Sequence, residues 1–230
     1  MCTFIFLKTA EGHLLGMNRD EAPGRAHSEY HDEGGLFYPR DPGSGGTWLG
    51  VSREGHVAAL LNARDAGRPE SRSTAVSRGA VVPHQLAGRS SGCPSLEGMA
   101  AFQSFFHDPA SDSGTLQAWD GTALAELPPP EDPCVLIASG YGAADERQAF
   151  VRDRLRRDPP RDPRGMMELL SLREPSRRGA WPHEAAVCMT GPFSATVASS
   201  VVEIRGGRLS FWCVAGSSAG PGSYELVKSF

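Results

Sequence analysis

Cys2 stands directly behind the initiator methionine of a 230-residue chain. Cysteine is small enough that a methionine aminopeptidase removes the residue before it. The mature protein is then expected to begin at Cys2, with a thiol and a free α-amine on one residue. A thiol is a poor nucleophile until it loses its proton, at a reference pKa of about 8.5. An α-amine, with a reference pKa of about 7.7–8.0, can take that proton near neutral pH, so covalent bonds alone position the base beside the nucleophile. The stretch "MNRDE" supplies partners for such a residue. Asp20 can hydrogen-bond the α-amine and hold its orientation. Arg19 can favour the thiolate or bind an anionic substrate group bidentately, and Asn18 can pin the turn or donate to substrate. The competing reading is structural: Cys2 as a small apolar residue opening an edge strand, and Arg19, Asp20 and Glu21 as a strand end that satisfies backbone groups. For Glu21 the structural reading is preferred.

These residues need elements to hold them. "CTFIFLK", the turn "TAEG" and "HLLGMN" read as an N-terminal hairpin, with Cys2–Lys8 against His13–Asn18. A polar, Gly-rich stretch from His27 to Ser44 follows, with a short strand at "GLFYP". Gly46–Ser52 and His56–Asn62 form a second hairpin around "REG", which leaves Asn62 at a strand end and makes Trp48 a core residue or pocket wall. Helices are expected around Ala80–Leu86 and Leu96–Phe106, then a hairpin from "TLQAWDG" and "TALAEL". After the rigid "PPPEDP" come a strand "CVLIAS", a charged amphipathic helix near Asp145–Arg157 and a short helix "GMMELL". Three strands close the chain, "AAVCMT", "ASSVVEI" and "RLSFWCVA", the last two joined through "RGG". Many antiparallel hairpins with a few helices give an α+β fold of sheets with helices packed outside, read as one domain over 1–230.

Composition narrows the partners. The formal net charge is −4, and no basic stripe tracks phosphates, so nucleic acid is not expected as a partner. No stretch reaches the length of a membrane span, and "TFIFL" is too short and lacks the basic lead of a signal peptide. The expected location is the cytoplasm. Lysine occurs only at Lys8 and Lys228 and asparagine only at Asn18 and Asn62, among abundant Arg, Ala, Gly and Pro. That bias suggests a GC-rich, bacterial genome, and both surviving asparagines lie in the motif stretches. The 5 cysteines show no C-x-x-C pair or metal-type spacing. Cys93 falls in a polar loop; Cys134, Cys188 and Cys213 lie in apolar runs, where cysteine behaves as a small hydrophobe. His27 and His31, with Glu29, Asp32 and Glu33, read as a solvated loop, so no metal is expected. "GSSAG" around Ser218 matches a nucleophile elbow in letters, but "PGSY" follows where that motif needs a helix.

"MCTFIFL", "MNRDEAPGR" and "GGTWLGVSREGHVAALLN", in that order, resemble the NRDE family, also known as the transport and Golgi organisation protein 2 family. The resemblance implies the N-terminal nucleophile (Ntn) hydrolase fold, a four-layer αββα sandwich of antiparallel sheets, and a distant similarity to cholylglycine hydrolases and penicillin V acylases, which also begin Met-Cys. It implies Cys2 as nucleophile, with Arg19, Asp20 and Asn62 as catalytic partners. Asn62 would help form the oxyanion hole, since a tetrahedral intermediate needs a prearranged donor for its negative charge. Two departures stand out. The amidases carry their Arg two positions earlier, where this chain has Met17. They also use an Asn and an Arg from the second half of the chain; no Asn follows Asn62, and Val197 falls where NRDE proteins commonly have the Arg of Gly-Thr-Arg-Ser-Ser. Thr196, Ser199 or Ser200 would supply hydrogen bonds there, and Asn18, Trp48, Thr196 and Ser199 would line the substrate. The expected activity is hydrolysis of a non-peptide C–N bond such as an N-acyl amide, without a cofactor. The rival expectations are a carrier of haem or lipid on the same fold, and a catalytically inactive interaction domain.

Overall fold

The computed structural model describes residues 2–22, 25, 29–41, 43–63, 76–88, 95–110, 113–138, 144–173, 187–189, 194–216 and 220–230. In chain order its strands are β1 (Cys2–Thr9), β2 (Gly12–Glu21), β3 (Glu29–Glu33), β4 (Leu36–Arg40), β5 (Leu49–Ser52), β6 (Val57–Asn62), β7 (Phe102–Asp108), β8 (Ser113–Trp119), β9 (Leu124–Glu126), β10 (Cys134–Ala138), β11 (Ala195–Arg205), β12 (Arg208–Ala215) and β13 (Glu225–Ser229). The helices are α1 (Val81–Leu86), α2 (Ala144–Arg157) and α3 (Pro163–Leu170). Two compact units result: Met1–His27 with Glu131–Phe230, and Ser28–Pro130. Among the described residues no helix is long and apolar enough to cross a membrane.

The first unit is a six-stranded sheet in the order β10-β1-β2-β11-β12-β13, with every neighbouring pair antiparallel. The β1–β2 hairpin pairs Cys2 with Arg19, Phe4 with Met17 and Thr9 with Gly12, as the period-two pattern requires. Because side chains alternate across a strand, β1 and β2 send Ile5, Leu7 and Leu14 to one face, where they pack with Val151 and Leu155 of α2 and Met166, Met167, Leu169 and Leu170 of α3. Gly16 makes that packing possible: a Cβ there would lie 2.6 Å from the Met166 sulfur, a distance real Cβ contacts do not tolerate. The helix α3 starts where Asp162 accepts a hydrogen bond from the Gly165 N–H (2.8 Å), with Pro163 in the first turn, both favoured helix-start features.

The second unit is a seven-stranded antiparallel meander, β3-β4-β5-β6-β7-β8-β9. Val81, Val82 and Leu86 of α1 pack there with Ala58, Leu60, Phe102 and Trp119, and the Trp119 indole N–H donates to the Met99 carbonyl (2.9 Å).

Most expected elements form, and four differences are informative. The helix expected at Leu96–Phe106 does not exist; Phe102–Asp108 is β7, between β6 and β8. Phe102, Phe105 and Phe106 fall at helical spacing, whereas the strand buries Ser104 and His107 beside its aromatics, blurring the two-residue alternation. Glu29–Glu33, expected as loop, is the edge strand β3; an edge strand tolerates its charges because one side faces no partner strand. Val187–Met189, expected within a strand, is not one. Glu225–Ser229, for which no strand was expected, closes the first sheet as β13.

Candidate active site

Cys2 is the first residue of β1, opposite Arg19 on β2 and Ala138 on β10. Directly paired residues of antiparallel strands present their side chains on one face, so the thiol and the Arg19 guanidinium share the face turned away from α2 and α3. Met17 occupies the next position on that face, opposite Phe4. Cys2 and Arg19 are both buried, at 7% and 6% exposure, and Arg19 reaches Glu21 at 3.9 Å. Burial pushes the Cys2 thiol above its ordinary pKa; the positive amino terminus, a hydrogen bond from the Asp20 backbone N–H and the Arg19 charge work against that, while the Asp20 charge adds to it.

Asp20, next along β2, points to the opposite, helix-covered face and is 1% exposed. Its Oδ1 accepts the Thr196 hydroxyl at 2.7 Å, and Thr196 in turn accepts the Met189 N–H at 2.8 Å. Its Oδ2 lies 3.5 Å from Nη2 of Arg147 on α2, and that same nitrogen donates to the Thr3 hydroxyl at 2.9 Å. Burial raises the Asp20 carboxyl pKa; Arg147 and then the Thr196 hydrogen bond oppose the rise. The ladder between β2 and β11 pairs Asp20 with Thr196 and Asn18 with Ser199, and shifts register between Thr196 and Ala198. Val197 is therefore the bulged residue, buried at 6%.

Asn18, fully buried, donates through Nδ2 to the carbonyls of Leu170 and Val187, each at 2.9 Å. Its Oδ1 accepts the Ser199 hydroxyl at 2.6 Å. Both amide hydrogens are thus committed to the main chain. This geometry gives Asn18 and Ser199 the work of tying the end of α3 and the Val187 segment to the sheet, rather than of touching a substrate.

The structure gathers Cys2, Asn18, Arg19, Asp20, Thr196 and Ser199 at one end of β1, β2 and β11. Asn62 and Trp48 belong to the second unit. Asn62 is exposed at the end of β6, paired with Phe102; Trp48 is buried just before β5, its carbonyl accepting the Leu60 N–H at 2.8 Å. His27, Cys93 and Ser218 lie outside the described residues. The residue that sequence reasoning missed is Arg147. The signal was there: Arg147, Val151 and Leu155 recur every four residues on one helical stripe, Val151 and Leu155 are buried at 0% and 2%, and Arg147 is a charge placed on that apolar stripe.

The second unit holds another polar group. Ser52 Oγ lies 3.0 Å from His56 Nδ1, and His56 Nε2 lies 3.8 Å from Asp108. The residue types are those of a hydrolytic triad. The Ser52 hydroxyl, however, bonds the Glu54 carboxylate and holds it below the usual carboxylate range. Ser52 is fully buried.

Residues 1–107 match the family model of Transport and Golgi organisation 2. Over this stretch the chain is similar to that family. Among solved structures, it resembles a Caenorhabditis elegans N-acylethanolamine-hydrolyzing acid amidase ortholog, at TM-score 0.58 and 12% identity over 99% of this chain and 100% of the other. It also resembles the C2A mutant of a conjugated bile acid hydrolase from Clostridium perfringens, at TM-score 0.54 and 12% identity over 99% of this chain and 92% of the other. These likenesses show the fold: two antiparallel sheets with few helices, as in the Ntn hydrolases. No curated protein matches the chain in sequence.

Proposed function

We propose that this protein is an N-terminal-cysteine amidohydrolase that cleaves a non-peptide C–N bond, with N-acyl amides as the substrate class. The observation that carries the reading is the strand end itself, where Cys2 faces Arg19 across the hairpin while the buried Asp20 carboxylate sits one residue further along. One structural neighbour named above is an N-acylethanolamine-hydrolyzing acid amidase ortholog and the other a mutant of a conjugated bile acid hydrolase, which supports hydrolysis as the reaction class.

The chemistry needs Met1 removed. The α-amine of Cys2 then takes the thiol proton, and the thiolate attacks the acyl carbonyl. The tetrahedral intermediate collapses to a thioester as the α-ammonium returns that proton to the leaving amine. The amine next deprotonates a water, which attacks the thioester and releases the acid, restoring thiol and amine. Arg19 favours the thiolate by its charge, and Asp20 holds the ammonium that forms in each half-reaction.

Intact mass of the purified protein shows whether Met1 is absent. Incubation with a panel of N-acyl amides should then yield acid and amine, and a mass increase of one acyl group on the Cys2 peptide should appear under rapid quench. Methionine-free protein that shows neither turnover nor a Cys2 adduct across a broad panel, yet binds haem or acyl lipid tightly, would replace this reading with the carrier.

A further inference from the structure

We propose that Arg147 is a positioning residue for this site: from the helix face it fixes the place and charge of Asp20, and so the α-ammonium that Asp20 holds. The inference rests on the amidohydrolase reading and adds to it a residue from the second half of the chain.

The geometry is a closed circuit. Arg147 Nη2 lies 2.9 Å from the Thr3 hydroxyl and 3.5 Å from Asp20 Oδ2, while Nη1 lies 3.7 Å from the Met189 sulfur. The Met189 N–H donates to Thr196 Oγ1 (2.8 Å), and Thr196 donates to Asp20 Oδ1 (2.7 Å). Arg147 therefore hydrogen-bonds the residue after Cys2 and stands at ion-pair distance from the far oxygen of the carboxylate. Its side chain is only 10% exposed, so the charge acts with little screening. The helix that carries it is itself fastened: Val151 and Leu155 sit in the core, and Gln148 Nε2 donates to the Val135 carbonyl at 2.9 Å. Val197, standing where family resemblance leads one to expect an arginine, is in a bulge beside Thr196; the guanidinium comes from α2 instead.

Among the described residues, the charged and titratable groups around Asp20 are Arg147 from α2 and Cys2 from β1, with the positive amino terminus ahead of β1. Thr196 adds a hydrogen bond from β11, and Arg19 is its chain neighbour on the other face. Of these, Arg147 opposes the effect of burial most.

The test uses the full chain with Met1 shown absent by intact mass, in the wild type, R147Q, R147K and T3V, each confirmed folded by melting. The titration of Asp20 is followed by carboxyl-resolved NMR, assigned by difference from D20N, beside the pH profile of kcat/KM on the best N-acyl amide. In R147Q the Asp20 midpoint should rise by about one pH unit or more, as expected when a carboxylate loses a neighbouring arginine, and the acidic limb of the rate profile should rise with it. R147K should restore at least half of both shifts. An unmoved Asp20 midpoint in R147Q overturns the proposal, as does R147K behaving like R147Q, or a shifted midpoint with an unshifted rate limb. If R147Q does not fold, T3V decides: it releases Nη2 from its anchor, and both readings should move the same way by less, while a T3V protein identical to wild type in both overturns the proposal. A wild type that hydrolyses nothing sinks the amidohydrolase reading alone; the NMR titration still reports whether Arg147 sets the charge of Asp20.

Discussion

Each unit of this molecule carries one cluster of polar side chains at a strand end, and the two clusters are opposites in what their letters suggest. Ser52, His56 and Asp108 have the residue types of a hydrolytic triad, and their spacing comes close to one. Yet Ser52 also bonds the Glu54 carboxylate, it is fully buried, and the backbone on either side is a tight hairpin turn, with Ser52 N–H on the His56 carbonyl (2.9 Å) and Gly55 N–H on the Ser52 carbonyl (3.0 Å). The cluster fastens a turn. Cys2, Arg19, Asp20 and Arg147 have no familiar triad spelling. They nonetheless put a thiol, two cations and a carboxylate around a single backbone position, on both faces of one sheet. Residue type nominates a site, but the destination of each proton and the charge around it decide whether chemistry can follow.

The largest expected effect falls on the first cluster. Cys2→Ala should lower N-acyl amide hydrolysis by at least about 10³-fold, as expected when a covalent nucleophile is removed. Its stability should change by only about 1 kcal/mol, since the lost side chain is small. Turnover and urea midpoints measured on the same preparations check both halves. Retained turnover in Cys2→Ala would dissolve the contrast between the clusters and return attention to the second unit.

Asp20→Asn comes next. A neutral amide cannot balance the ammonium that forms on Cys2, so kcat should drop about 10²-fold. Stability supplies a separate signature. Burial raises the folded pKa of Asp20, so its contribution is fully present below the unfolded carboxylate value of about 3.9 and is lost as pH rises through the raised folded value. The melting temperature of wild type relative to Asp20→Asn should therefore fall as pH increases from about 4 towards neutrality. A difference that grows in the opposite direction would mean that the carboxylate, not the carboxylic acid, is the form the fold prefers.

Asn18→Ala should act on stability first. It leaves the Leu170 and Val187 carbonyls and the Ser199 hydroxyl without their buried partner, at a cost of about 3 kcal/mol, since each such loss is worth about 1–3 kcal/mol. Urea unfolding should show a lower midpoint with an unchanged slope. Unchanged stability with a raised KM would instead place Asn18 against the substrate.

How much of this was legible in the sequence follows from what each feature depends on. The β1–β2 and β5–β6 hairpins were readable because alternation and tight turns are local. The strand β7 was not: it is paired on both sides, so burial reaches Ser104 and His107 as well as its aromatics, and Phe102, Phe105 and Phe106 imitate a helix. Cys2, Arg19 and Asp20 were readable because one hairpin brings them together. Arg147 was not, because its partner Asp20 lies 127 positions earlier, from 147 back to 20, and nothing local announces the pairing. Asn18 was marked by its scarcity, but scarcity cannot separate a substrate donor from a fastener. Its two carbonyl acceptors, at Leu170 and Val187, exist only in the folded chain.

The smallest expected effect completes the contrast. Ser52→Ala removes the hydroxyl shared by His56 and Glu54 but leaves the two main-chain bonds of the turn in place. The loss should be about 1 kcal/mol, the net worth of an ordinary intramolecular hydrogen bond, and His56 keeps its stacking on Phe106 at 5.5 Å between ring centroids. Hydrolysis of N-acyl amides should be the same as in wild type. A serine-directed fluorophosphonate should leave Ser52 unmodified in the folded protein, because the hydroxyl is inaccessible. Labelling at Ser52, or a fall in turnover out of proportion to the small loss of stability, would show that the triad-like cluster is chemically active and that the turn-fastening assignment is wrong.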